Sequence, residues 1–174
     1  TLWGWGLNTS GQLGDNTVTT KSSPVSVVGA HSFTQIFAGS THSMGLKADG
    51  SLWAWGDNSS GQLGDNSLTN RSSPVSVVVA HSFTNIPVNG SGASFSAALK
   101  SNGTVWAWGL NTFGQLGDGT IFTKSSPVSV SGNQSFVSLA LGTSHLVGLK
   151  KGSLTPANGE ILALGANYFG QIGD

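Results

Sequence analysis

One phrase recurs four times and limits what this chain can fold into more than any other feature. It first reads Leu2-Trp3-Gly4-Trp5-Gly6, followed by Gly11-Gln12-Leu13-Gly14-Asp15. The phrase returns at 52–56 with 61–65, at 105–109 with 114–118, and at 161–165 with 170–174, where Leu162 and Leu164 replace the tryptophans. Trp5, Trp55, Trp108 and Leu164 are separated by 50, 53 and 56 residues. A period of that size is the mark of a repeat architecture, in which each unit is one supersecondary element that buries its faces against its neighbours. The repeat divides the chain into units at approximately 2–51, 52–104 and 105–160, with 161–174 opening a fourth. The lengthening period traces to two insertions, at 87–92 and at 151–158, and insertions of this kind belong in loops.

Each unit predicts four short strands, at Phe33 to Ala38, His42 to Lys47, Leu52 to Trp55 and Pro74 to Val79 in the best-marked copy. Asp49-Gly50, Asn102-Gly103 and Asn158-Gly159 separate the second strand from the third and suit tight antiparallel hairpins. Pro24, Pro74 and Pro127 are expected to begin the fourth strand and to place it at a sheet edge, because proline lacks the N–H that a central ladder requires. No window carries three turns of helical periodicity, and glycine interrupts every candidate. Four-stranded antiparallel units of about 50 residues with buried aromatics predict an all-β chain built as blades of a β-propeller, about three blades and part of a fourth.

The pairs Trp3/Trp5, Trp53/Trp55 and Trp106/Trp108 stand two apart, so each pair shares one face of its strand and is expected to pack against the next blade. Burying one tryptophan removes about 150–250 Å² from water, worth roughly 4–6 kcal/mol as an upper bound. That framework role suffices to explain them, and a ligand-stacking role is the alternative. Gly6, Gly56, Gly109 and Gly165 end the aromatic strand where a sharp turn is expected. Gln12, Gln62, Gln115 and Gln171 are expected to satisfy loop backbone groups, and Leu13, Leu63, Leu116 and Ile172 to plug the core. Asp15, Asp65, Asp118 and Asp174 read as turn caps rather than calcium ligands, since calcium takes six to eight oxygens with several carboxylates converging.

Nothing in the chain points to catalysis. His42 aligns with His145 but with Phe95 between them, and His31 aligns with His81 but then with Gln134. A general base or metal ligand would have to survive those replacements, so a hydrogen bond between blades is the simpler reading. No nucleophile elbow, phosphate loop or pair of acids is present, and neither cofactor nor metal is expected. Charged residues are 8% of the chain and the formal net charge is zero, which gives no clustered cations for nucleic acid. No apolar run approaches the length needed to insert in a membrane. Cysteine is absent, and abundant Gly, Ser, Thr and Asn lean towards a secreted or surface-displayed bacterial or viral protein.

One polar series suggests a binding surface. Lys21, Arg71 and Lys124 occupy equivalent positions in the loops 16–21, 66–71 and 119–124, and Ile121 with Phe122 join them in the third copy. Cations beside exposed apolar groups are common in partner surfaces; the alternative is that they keep an edge strand soluble.

The run Ala38-Gly39-Ser40-Thr41-His42-Ser43-Met44-Gly45-Leu46, continued by 49–58, by Gly61-Gln62-Leu63-Gly64-Asp65 and by Pro74-Val75, resembles the repeat of the regulator of chromosome condensation family. The resemblance covers the whole chain and implies a seven-bladed propeller of four-stranded blades. Members of that family include a nuclear exchange factor for a small GTPase, a plant UV-B photoreceptor and a secreted bacterial inhibitor of β-lactamases, so fold does not settle function. The photoreceptor's Gly-Trp-Arg-His-Thr motif is absent, and Arg71 is the sole arginine. The Trp-x-Trp strands suggest a divergent bacterial-type array. Three periods and an opening segment do not close a ring of seven, so further blades from a longer chain or from other copies are expected as partners. The leading functional expectation is a non-catalytic scaffold that binds a protein or glycan through its rim loops. A regulator of a small GTPase of the nucleotide-exchange type, and a fibre of repeated blades, are the alternatives.

Overall fold

The computed structural model describes residues 1–78, 82–87, 92–132, 134–150, 160–171 and 173. Among them lie thirteen strands and no helix. β1 (Trp3–Gly6) and β2 (Lys21–Ser26) form a two-stranded sheet. β3 (Phe33–Ala38), β4 (His42–Lys47), β5 (Leu52–Gly56) and β6 (Arg71–Ser76) form a four-stranded sheet in chain order. A second such sheet holds β7 (Phe83–Asn85), β8 (Phe95–Lys100), β9 (Val105–Gly109) and β10 (Lys124–Ser129). β11 (Phe136–Leu141), β12 (His145–Lys150) and β13 (Ile161–Gly165) form a three-stranded sheet. Every pairing is antiparallel. These are the blades of a β-propeller, and each four-stranded blade joins the end of one sequence unit to the start of the next.

The hairpins form where the dipeptides stand. At Asp49-Gly50 the amide of Gly50 donates to Lys47 O, Asp49 accepts from the Ser51 amide, and Gly50 has φ 80°. Asn158-Gly159 lies outside the described residues, as do the insertion segments 88–91 and 151–159.

The fourth strand differs from expectation. It starts at Lys21, Arg71 and Lys124, ahead of Pro24, Pro74 and Pro127, so the proline lies inside it. The pairing register explains how: Gly56 pairs with Arg71 and Ala54 with Val75, so Ser72-Ser73-Pro74 bulges out of the ladder. A proline at a bulge forfeits no ladder bond. Its edge position stands, since β6 and β10 end their sheets.

Two further expectations are corrected. Trp55 and Trp108 are 2% and 0% exposed and face the preceding blade rather than the next one. Their partners Trp53 and Trp106 are only half-buried, and the ammonium groups of Lys47 and Lys100 sit 4.4 and 4.6 Å from their ring centroids. Trp3 and Trp5 lie on β1, whose sheet packs against no earlier blade among the described residues, and are 54% and 63% exposed. The core otherwise runs through both complete blades, from Phe37 and Met44 to Leu99 and Trp108, and reaches Leu146 in the last sheet.

Candidate interaction rim

The corner after each aromatic strand is built around a buried asparagine. Asn58 is fully buried; its Oδ1 accepts from the Leu63 amide, and its Nδ2 donates to Asp65 Oδ1, Ser67 O and Thr69 O. Asn8 and Asn111 make the same set with Leu13, Asp15, Thr17 and Thr19, and with Leu116, Asp118, Thr120 and Phe122. One amide thus ties the Gly-Gln-Leu-Gly-Asp corner to the loop that follows. The glutamine fulfils its expected role: Gln12, Gln62, Gln115 and Gln171 each accept the amide two residues earlier.

The aspartates close the loop locally. Asp65 also accepts from the Ser67 amide and hydroxyl and from Arg71 Nε, and it pairs with Arg71 Nη2 at 2.8 Å. Burial pushes the Asp65 carboxyl up, but the hydrogen bonds from Ser67, Arg71 and Asn58 outweigh it and hold the pKa below the usual range. Asp15 and Asp118 are lowered in the same way, by Thr17 with Lys21 and by Thr120 with Asn111. Among the described residues no group of three His, Asp or Glu side chains could hold a metal ion. Asp174 lies outside them.

Lys21, Arg71 and Lys124 are therefore paired with Asp15, Asp65 and Asp118 at 3.3, 2.8 and 3.4 Å, and only 25–40% of each cationic side chain is exposed. These loops present apolar side chains outward beside exposed Asn and Thr residues. Ile121 and Phe122 are 65% and 70% exposed, and the equivalent residues Val18 and Leu68 are 59% and 60% exposed. The sequence reading named the pair in the third copy and missed Val18 and Leu68, although an apolar residue at one loop position in three copies was visible. It also gave no role to Asn8, Asn58 and Asn111, which stand at a constant offset after the aromatic strand.

The loops are joined into one band. The amide of Asn16 donates to Ser72 O and that of Asn66 to Ser125 O, so each loop rests on the strand that follows the next loop. Asn16 and Asn66 hold φ of 63° and 60°, a region asparagine tolerates better than most residues.

The histidines also sit between blades. His42, fully buried on β4, donates from Nε2 to Ser96 Oγ on β8 at 3.0 Å, and Ser96 in turn donates to Gln62 O at 2.7 Å. This order fixes the neutral tautomer with the proton on Nε2, leaving the buried Nδ1 without a partner. His31 instead packs at a tilt of 43° against Trp53, with ring centroids 4.2 Å apart. His81 lies outside the described residues.

A chain of antiparallel blades latched by tryptophan and asparagine defines a propeller-type repeat protein. The sequence matches the regulator of chromosome condensation (RCC1) repeat over residues 1–46, 49–99 and 102–149, and the chain belongs to that family. It is 34% identical over 88 residues to human Protein RCC2, covering 49% of this chain and 16% of that protein. It is 30% identical over 178 residues to the human E3 ubiquitin-protein ligase HERC2, covering 99% of this chain and 4% of the relative. The ultraviolet-B receptor UVR8 of Arabidopsis thaliana is 29% identical, with 98% of this chain and 38% of the receptor covered. The chain thus spans well under half the length of each of these relatives. Among solved structures, Prp20p of Saccharomyces cerevisiae superposes with a TM-score of 0.79 at 23% identity, covering 99% of this chain and 42% of that one. Human WBSCR16 gives 0.77 at 20% identity over 94% and 42%. At such identities the structural likeness establishes fold.

Proposed function

We propose that the chain is part of a non-catalytic protein-interaction scaffold whose contact surface is the band of rim loops 16–21, 66–71 and 119–124. The observation that carries this reading is the contrast within each loop. The polar interior is locked by one asparagine and one aspartate, while Val18, Leu68, Ile121 and Phe122 project into solvent. Exposed apolar groups on a preorganised backbone bind with little loss of conformational freedom. Because the cations are paired within their own loops, they help to hold the surface in place, and the binding they support depends only weakly on salt. A protein partner suits these exposed apolar side chains better than a glycan. Display outside the cell belongs to this reading on composition alone, and fractionation of the native source tests it.

The test is a photo-cross-linking residue at Thr69, between Leu68 and Arg71. A discrete adduct that disappears when Val18, Leu68 and Ile121 are all changed to serine supports the scaffold. An adduct indifferent to those changes removes it.

The fold shared with Prp20p favours a second reading. Prp20p is described for its binding properties to Gsp1p and histones. By analogy, a propeller of this kind regulates a small GTPase. Faster nucleotide release from a GTPase in the presence of the chain would support this reading over the first.

A further inference from the structure

The boundaries on either side of the β7–β10 blade are tied differently. At the first, between β3–β6 and β7–β10, Gln35 on β3 clasps the edge of β7. Its Nε2 donates to Thr84 O and its Oε1 accepts from the Ile86 amide, both at 3.0 Å. His42 joins β4 to Ser96 on β8, and the indole of Trp108 on β9 reaches Gln62 O in the corner after β5. The Nε2 of Gln62 is itself satisfied by Asp57 at 2.6 Å.

At the second boundary, between β7–β10 and β11–β13, each of these positions has changed. Asn85 stands in the place of Gln35, one methylene shorter, and its side chain makes no hydrogen bond among the described residues. A cleft of about 270 Å³ opens beside it, lined also by Asn102, Phe136 and Val137. Phe95 replaces His42, Leu146 replaces Ser96 and Leu164 replaces Trp108, so the oxygen of Gln115 receives neither donor. Leu110 replaces Asp57, and the buried Nε2 of Gln115 has no partner. On the hairpin side the boundary keeps the Phe136 amide on Gly103 O at 2.8 Å and the Ser135 hydroxyl on Asn102 O at 3.3 Å. These residues belong to strands and turns described on both sides, so the contrast is written in side chains.

We infer that this second boundary is a seam at which the array flexes: β11, β12 and β13 part from the β7–β10 blade as one unit while the sheets before them stay joined. Two effects lower the cost of parting there. Opening the first boundary strips buried acceptors such as Gln62 O of their donors. Opening the second gives water to Gln115 Nε2, which lacks a partner when the boundary is closed. Segments with fewer such ties open locally, as cooperative units, below the free energy of global unfolding. The seam gives the array one place to change the angle between blades, independently of what the rim binds.

The test is native-state hydrogen exchange on the 174-residue chain. The amides of β11 and β12 are expected to exchange as one group under conditions where β8 and β9 stay protected. Asn85→Gln restores the clasp, and Leu164→Trp restores the indole donor to Gln115 O. Each should slow that group by roughly tenfold, the worth of one net hydrogen bond, and leave β8 and β9 as they were. Should Leu164→Trp fail to fold, Asn85→Gln carries the test. The reciprocal change, Gln35→Asn, should hasten exchange in β3 and β4 while β11 and β12 keep their rate. Exchange of β8, β9, β11 and β12 at one common rate overturns the seam. So does a β11–β12 opening that neither restoring variant slows, which is plain fraying of the last sheet.

Discussion

The indole N–H of Trp108 donates to the backbone oxygen of Gln62 at 2.9 Å, across the boundary between two blades. The Ser96 hydroxyl serves the same oxygen at 2.7 Å, and the preceding boundary repeats the arrangement with Trp55 and Ser43 on Gln12 O. At the third boundary both donors become leucine together, Leu146 and Leu164, and Leu164 occupies the space beside Gly117 that Trp55 and Trp108 fill beside Gly14 and Gly64. A buried carbonyl with two donors is a stronger latch than packing alone, since its loss leaves a desolvated acceptor.

The latch is testable by a double-mutant cycle. Trp108→Ala should cost about 3–5 kcal/mol through the cavity it leaves, whereas Trp108→Phe should cost only about 1 kcal/mol while Ser96 still serves the oxygen. Adding Ser96→Ala to Trp108→Phe should cost about 1 kcal/mol more than the two single losses combined. Urea unfolding of the four proteins measures the coupling, and simple additivity would remove the shared-acceptor account.

Stability should fall with acid before the carboxylates titrate. Burial lowers the pKa of His42 from 6.5 to about 4, against a smaller upward pull from Asp57. The unfolded chain therefore binds a proton first as pH drops. The contribution is complete above about pH 6.5 and is lost as pH falls towards 4, about 3 kcal/mol in all. The lowered carboxyls of Asp15, Asp65 and Asp118 act in the same direction below the usual carboxylate range. His42→Phe, which copies Phe95 at the aligned position, should flatten the profile between pH 6.5 and 4 when unfolding is followed by denaturant titration.

Blades and their strand order were legible because the repeat is written in residues with one physical role, such as the positive φ of Gly50 and the buried ring of Trp55. The bulge that admits Pro74 was not, because a ladder register is set by both strands together. Nor was the pairing of Arg71 with Asp65: the sequence shows a cation in a loop but not whether its own loop neutralises it. The half-buried state of Trp53 was hidden for a similar reason, since spacing places it on the face of Trp55 without saying how far the preceding blade extends.

The aspartate clamp should matter more for loop order than for global stability. Arg71 is 40% exposed, so the ion pair alone contributes little. Asp65→Ala nevertheless removes the acceptor of the Ser67 amide and hydroxyl and one of the acceptors of the buried Asn58 amide, and should cost about 2 kcal/mol. Hydrogen exchange should quicken at Ser67, whose amide Asp65 holds, while β8 and β9 stay protected. Uniform loss of protection across both sheets would contradict a local clamp.

The central claim is that the tryptophan and glycine framework holds up a surface that the loops present. The decisive measurement is photo-cross-linking at Thr69, read beside the melting temperature, in two proteins: Trp55→Ala, and the triple change Val18→Ser, Leu68→Ser and Ile121→Ser. The account predicts that the triple variant melts with the parent and loses the adduct. It also predicts that Trp55→Ala melts earlier yet forms the adduct at temperatures where it remains folded. A fully folded Trp55→Ala that has lost the adduct, beside a triple variant that keeps it, would reverse the roles of frame and rim.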